Sequence, residues 1–315
     1  CSGLEEVWFE CPECGDRPRR WAEEGGGWWH GYALSGYADQ YVPLKTFAPL
    51  TGQRLSGQRE PTVWNVTIHK PPHDPGLREG NPFMVLNLLS ELDQAGEYFV
   101  FPNATLVFIP WPEHNLETGS LTVSMAPHIM RLQNASHLTV SGLRFAHARG
   151  AGLVAENVSN LMVESVTSEL HGEDGIRIER SWNSTIGHST VSNVGCVGVA
   201  LSGGDPTTLR PGNLLLHDSH VANFSLWKRT YRPGLEWAGV ANEFRSNVFE
   251  NGPHSCVLGG ASESEMTELD HLRSVSCRFL NNTFRRCAFE CSDCGAWYSC
   301  GQSGNAFTNP NNTIK

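Results

Sequence analysis

Three carboxylates, Asp205, Glu290 and Asp293, stand at turns of this sequence beside strands that start on glycine or serine, and His254 lies one residue before such a strand. Two carboxyl groups on either side of a bond can divide acid and base work between them, and a neighbouring histidine can tune a pKa or hold a hydroxyl. Asp beside glycine is also a frequent turn former that bonds its own backbone, and a histidine can equally cap a turn or stack inside a core. A second group, Trp227, Arg229, Tyr231 and Arg232, falls within one short segment. Aromatic faces stack on rings and Arg forks grip carboxylates at two points, whereas the structural alternative is a rigid loop that buries Trp and pairs Arg with local acids.

The elements that must position these residues repeat. Gly152-Leu153-Val154-Ala155, Gly175-Ile176-Arg177-Ile178, Gly198-Val199-Ala200-Leu201, Gly234-Leu235-Glu236-Trp237, Ser255-Cys256-Val257-Leu258 and Gly295-Ala296-Trp297-Tyr298 form a series whose first two intervals are 23 residues. That is one coil of a solenoid. Second apolar runs such as His137-Leu138-Thr139-Val140 and Asn160-Leu161-Met162-Val163 precede them, so each coil holds two or three short strands. The pattern predicts an all-β chain, a right-handed parallel β-helix with about six coils over 126–315. Equivalent positions then stack about 4.8 Å apart, with His254 in register with Asp174 and Cys294. Asp174 reads as a turn former. The intervals stretch to 36 residues after Gly198 and to 40 after Ser255, which predicts insertions at Asp205 to Arg232 and Ala261 to Ser276, where solenoids commonly build binding sites.

Residues 1–125 lack the period and are rich in Trp, Pro and Gly, which predicts a separate β-rich region, inserted in or packed on the solenoid. Glu97 to Phe101 and Thr105 to Ile109 read as a hairpin, and apolar spacing from Phe83 to Leu92 predicts a short helix.

The net charge of -10 argues against a nucleic-acid partner, which needs clustered cations. No run of about 18 apolar residues is present to span a bilayer. Asn-x-Ser/Thr occurs at Asn65, Asn103, Asn134, Asn157, Asn183, Asn223, Asn281 and Asn311, which predicts N-linked glycans and an extracellular or secretory location; β-helix turns rich in Asn, Ser and Thr are the alternative source. Asn281-Asn282 and Asn311-Asn312 read as turn or ladder residues. Ten cysteines fit an oxidising compartment. Three precede residue 20 and seven follow 195, so full oxidation requires a bond between the two regions or to a segment outside the sequence. Cys11-x-x-Cys14 and the cluster Cys287, Cys291, Cys294 and Cys300 lack the matched knuckles of a zinc site, and no metal is expected. A start at Cys1, with neither Met nor a signal segment, reads as a mature or truncated piece.

Gly203-Gly204-Asp205, Trp227 to Pro233, Pro253-His254-Ser255 and Glu290-x-Ser292-Asp293-x-Gly295-Ala296-x-Tyr298 occur in one order, preceded by Asp16 to Trp21, His30-Gly31-Tyr32, Leu86 to Asp93 and Gly96-Glu97-Tyr98. In that order they resemble the pectate-lyase-like right-handed β-helix proteins, and within them glycoside hydrolase family 141 and its uncharacterised relatives. The chain departs from those relatives at Ala33 to Asp39, at Ala261 to Ser276 and in the cysteines flanking Asp293. The resemblance implies hydrolysis of a glycosidic bond in a cell-wall or extracellular polysaccharide without a cofactor, with Asp293 and either Asp205 or Glu290 as the carboxyl pair and His254 beside them. It implies that Trp227, Arg229, Tyr231, Arg232 and Tyr298 contact sugar. The alternatives are a polysaccharide lyase acting on uronates, in which Ca²⁺ would take part, and a non-catalytic glycan-binding or cell-surface protein. The sequence shows no dense run of acids suited to Ca²⁺.

Overall fold

The computed structural model describes residues 6–10, 14–50, 63–71, 76–114, 117, 119, 121–259, 274–299, 307–308 and 312–314. The chain divides into two compact units, Cys1–Leu121 and Thr122–Lys315.

In the first unit an antiparallel sheet runs in the order Glu6–Glu10, Val63–His69, Asp39–Leu50, Trp28–Tyr32, Phe83–Leu86. A helix, Arg17–Glu24, starts with Pro18 in its first turn, where the missing N–H costs nothing. It contributes Trp21 to a core with Trp29, Val42, Leu44, Val66, Ile68 and Leu88. The helix expected over Phe83 to Leu92 is instead the edge strand Phe83–Leu86 followed by a 3-10 turn, Leu89–Glu91. Asn87 between them has φ 58, which no α-helix accommodates. Gly31 brings the edge strand in close: a Cβ there would lie 2.6 Å from Phe83 Cβ. The expected hairpin is present as Tyr98–Val100 and Leu106–Phe108.

The second unit is a parallel β-helix of three sheets. The sheet that carries the glycine-anchored strands, here the anchor sheet, contains His128–Gln133, Ala151–Glu156, Ile176–Ser181, Val199–Asp205, Leu235–Val240, Val257–Gly259 and Trp297–Ser299. A second sheet runs from Ser136–Ser141 to Phe307–Thr308, and a third from Arg144–Ala146 to Thr313–Ile314. Among the described residues there are seven coils, one more than the anchors suggest. The first carries Ile129 where Ala151–Glu156 carries Gly152, so it shows no anchor in the sequence. Gly175 and Gly198 show why glycine recurs: a Cβ would lie 2.2 Å from Val191 Cγ1 at Gly175 and 2.4 Å from Val221 Cγ1 at Gly198, since the third sheet presses against these positions.

The last two anchors shift by one residue from the expected alignment. Leu235 pairs with Val257 and Val257 with Trp297, which puts Cys256 and Ala296 at the anchor positions, not Ser255 and Gly295. Cys256 is accommodated there because it is bonded to Cys287 of the third sheet. His254 and Cys294 therefore remain in register with each other and are one position away from the row of Asp174.

Interior positions of the anchor sheet hold Leu153, Ile176, Val199, Leu235 and Val257, all fully buried. Toward the C-terminal coils the core turns aromatic, with Phe279 at 4.2 Å from Trp297, 4.7 Å from Phe244 and 5.0 Å from Trp237 between ring centres. Each fully buried side chain of this size contributes about 1.5–3 kcal/mol. Turns are tied coil to coil by a buried ladder in which the N–H of Ser219, Asn247 and Asn282 donates to Asn247, Asn282 and Asn312 respectively.

Five of the eight Asn-x-Ser/Thr motifs stand at the same kind of turn. Asn134, Asn157, Asn183, Asn223 and Asn281 all have φ between 47 and 54, a left-handed position that asparagine tolerates. Side chains such as Val158, Phe224 and Asn282 follow them and point into the core. The asparagines also stack, with Asn157 donating to Asn134 and Asn223 to Asn193. Asn311 lies outside the described residues.

Cys291 is bonded to Cys294, and Cys14 is also disulfide-bonded. Cys196 and Cys277 are buried free thiols that burial pushes up to about 11. Full oxidation, from which a bond between the two regions was expected, therefore does not hold. Cys1, Cys11 and Cys300, and the insertion from Ala261 to Arg273, lie outside the described residues.

Candidate functional site

The insertion before Leu235 and the turn before Trp297 meet. Arg229 is hydrogen-bonded to Glu290, and the pair lines a cleft of about 370 Å³ with Asn223, Asn251, Arg286 and Phe289. Tyr231 stands edge-on to His254 at 5.7 Å, and His254 is 1% exposed. The Trp227 side chain is half exposed, and its backbone N–H donates to Gly195 O at 2.9 Å. Asp293 is exposed, with φ 53, inside the loop closed by Cys291 and Cys294.

Asp205 is not part of this assembly. It ends Val199–Asp205, six positions beyond Val199, whereas His254 and Glu290 precede Val257 and Trp297 of the same row. Its carboxylate accepts from Thr208 Oγ1 at 2.7 Å and Thr207 N at 2.9 Å. These bonds hold it below the usual carboxylate range, as in an Asx turn.

A different carboxylate cluster lies on the outward face of the anchor sheet. Positions Arg177, Ala200, Glu236, Leu258 and Tyr298 form one row across consecutive coils. Arg177 Nη2 lies 2.7 Å from Asp174 Oδ2 and, reaching past the small Ala200, 3.3 Å from Glu236 Oε2. Its Nη1 donates to Glu179. Burial works against the Arg177 charge, but Asp174, Glu236 and Glu179 together outweigh it and hold the guanidinium pKa above its usual value. Burial pushes the Glu236 carboxyl up, Arg177 opposes this, and Asp174 adds to the rise. The Arg232 charge also opposes the rise at Glu236, so the insertion singled out from the sequence acts on this cluster. Glu179 and Glu236 flank a cavity of about 20 Å³ together with Ala200, Ser202 and Ala238. One water molecule fits such a space.

The sequence contained a usable signal for this cluster. Arg177 and Glu236 occupy outward positions of anchored strands, where a charge must find a partner in a neighbouring coil. Asp174, singled out as a turn former, does bond Val197 N at 3.0 Å, and its second oxygen serves Arg177.

Among the described residues two groups have the composition of metal ligands, His254 with Cys291 and Cys294, and His188 with His217 and Asp218. In the first, the two sulfurs are bonded to each other and do not offer thiolates.

The family described as right handed beta helix region matches residues 128–314, more than half of the sequence. The chain belongs to the right-handed β-helix family. No curated protein sequence matches it. Among solved structures it is similar to the periplasmic alginate epimerase AlgG, at 12% identity over 60% of this chain and 42% of that one, with a TM-score of 0.45. It is also similar to the A-module of mannuronan C-5 epimerase AlgE4 of Azotobacter vinelandii, at 8% identity over 60% of this chain and 46% of that one, with a TM-score of 0.40. The chain thus spans less than half the length of either, and likeness at this level says nothing about reaction or substrate.

Proposed function

We propose that this β-helix is a carbohydrate-active protein that hydrolyses a glycosidic bond on the outward face of its anchor sheet. The observation that carries the reading is the water-sized cavity lined by Glu179 and Glu236 together with Ala200, Leu201, Ser202, Trp237 and Ala238. Glu236, its carboxyl raised by burial, donates a proton to the leaving oxygen. Glu179 takes a proton from the water that attacks the anomeric carbon, so one C–O bond forms as the other breaks. Arg177 fixes both carboxylates and Asp174. Arg232, Tyr298 and the cleft of Arg229, Glu290 and Phe289 contact the sugar chain, with Trp227 and Tyr231 on the same insertion. Asp205 and Asp293 shape turns. The motif order that resembles glycoside hydrolase family 141 supports a hydrolase, although it implies a different carboxyl pair, Asp293 with Asp205 or Glu290; the bonds Cys256–Cys287 and Cys291–Cys294 support an extracellular or secretory location.

The test is release of reducing ends from a panel of neutral and acidic polysaccharides by the full chain. Release is expected from wild type and its loss, with glycan binding retained, from Glu236→Gln. Products with an unsaturated ring absorbing in the near ultraviolet would replace hydrolysis by elimination. Binding without any turnover would leave a glycan-binding protein.

A further inference from the structure

A second row repeats the geometry of Arg177, Ala200 and Glu236 with different chemistry. On the second sheet Glu164 pairs with Gly187 and Gly187 with His217, so the three stand one above another in successive coils. Gly187 carries no side chain to keep its neighbours apart. A Cβ there would lie 2.5 Å from His217 Nε2 and 2.6 Å from Glu164 Oε2, so one point between the coils is within reach of both atoms. His188 has φ 47, and its Nε2 lies 3.8 Å from Glu164 Oε1. The rings of His188 and His217 meet edge to face at 5.2 Å. His217 Nδ1 is 2.8 Å from Asp218 Oδ2, and Asp218 lies 3.8 Å from Arg245 Nη1. Among the described residues nothing bonds His217 Nε2.

We infer that Glu164, His188 and His217 form a site for a divalent transition-metal ion of the zinc type, with Asp218 as the positioning residue for His217. Two imidazole nitrogens and one carboxylate suit Zn²⁺, Ni²⁺ or Cu²⁺, whereas Ca²⁺ and Mg²⁺ require a shell of oxygens. Metal-bound imidazole donates its other N–H to a carboxylate, which is the relation of His217 to Asp218. The Arg245 guanidinium lies 3.8 Å from that carboxylate. Bonds of about 2.0–2.2 Å from each ligand would draw the three side chains into the space above Gly187. An ion held there ties three consecutive coils and stabilises the folded chain, because the unfolded chain does not assemble the site.

The experiment is a calorimetric titration of the chelator-stripped full chain with ZnCl₂, with thermal unfolding followed in parallel. Wild type is expected to bind one ion at this site and to unfold at a higher temperature with Zn²⁺, while CaCl₂ leaves it unchanged. Asp218→Asn is expected to weaken Zn²⁺ binding about 10–100-fold, and His217→Ala or Glu164→Gln at least as much. Gly187→Ala keeps every ligand, places a methyl group in the gap, and is expected to weaken binding without removing the circular dichroism of the fold. Zn²⁺ binding of equal affinity in wild type and His217→Ala, or no rise in unfolding temperature, would overturn the site. Equal stabilisation by Ca²⁺ would overturn its metal class.

Discussion

The row Arg177, Ala200, Glu236 and the row Glu164, Gly187, His217 are built by the same device on two sheets of one solenoid. In each, a small residue in the middle coil lets side chains from the coils on either side reach one another. They differ in where the positive charge comes from. Arg177 brings its own cation among three carboxylates and neutralises part of their charge within the protein. The second row presents imidazole and carboxylate atoms around a point no side chain occupies. A β-helix therefore creates sites by omission, and what fills the gap depends on the chemistry of the flanking coils.

The largest effect should come from the chemistry of the first row. Glu236→Gln is expected to lower turnover about 10²–10⁴-fold, since it removes a proton donor while retaining shape. An unchanged rate of reducing-end release would show that the row is only structural. Arg177→Met comes next. It leaves Asp174, Glu179 and Glu236 half-buried without their cation, and denaturant unfolding should show a loss of about 3–5 kcal/mol. Substitution of the middle residue sharpens the comparison: Ala200→Leu should cost about 1–3 kcal/mol by overpacking the path from Arg177 to Glu236. Gly187→Ala should cost less, because the displaced atoms are far ends of flexible side chains.

A pH effect distinguishes the rows further. Burial raises the Glu236 pKa in the fold, so its folded state binds protons more readily than its unfolded state. Its contribution is complete below the ordinary glutamate range and is lost as pH rises through the raised value. Urea unfolding over that window should show wild type losing stability relative to Glu236→Gln; parallel curves would contradict the shift. The smallest effects belong to Asp205→Asn and Asp293→Asn, expected within about 0.5 kcal/mol in stability and without change in turnover. A large loss of turnover in either would return catalysis to the turns.

Glycines 152, 175, 198 and 234 made the solenoid legible, because the third sheet at the first three positions and Phe224 at the fourth leave no room for a Cβ. The first coil escaped notice for the same reason, since Ile129 stands where the glycine would be. The slip to Cys256 had no local signal: a disulfide to a residue 31 positions away made a side chain tolerable at that position. Arg229, Tyr231, Arg232 and His254 fall in or between the stretched intervals and Glu290 entered through the family resemblance; the structure pairs Arg229 with Glu290 and Tyr231 with His254. Arg177, Glu179 and Glu236 were passed over, as each sits in a regular strand and their meeting spans coils separated by 59 residues.

The sequence alone determined the winding of this protein, because the period of its strands and the sizes of its side chains are local properties that each coil repeats. It also marked the insertion that borders the candidate site. Only the tertiary structure decided which carboxylates face each other, since register between coils, set by turn length, a disulfide and the size of one middle residue, fixes which side chains share a column.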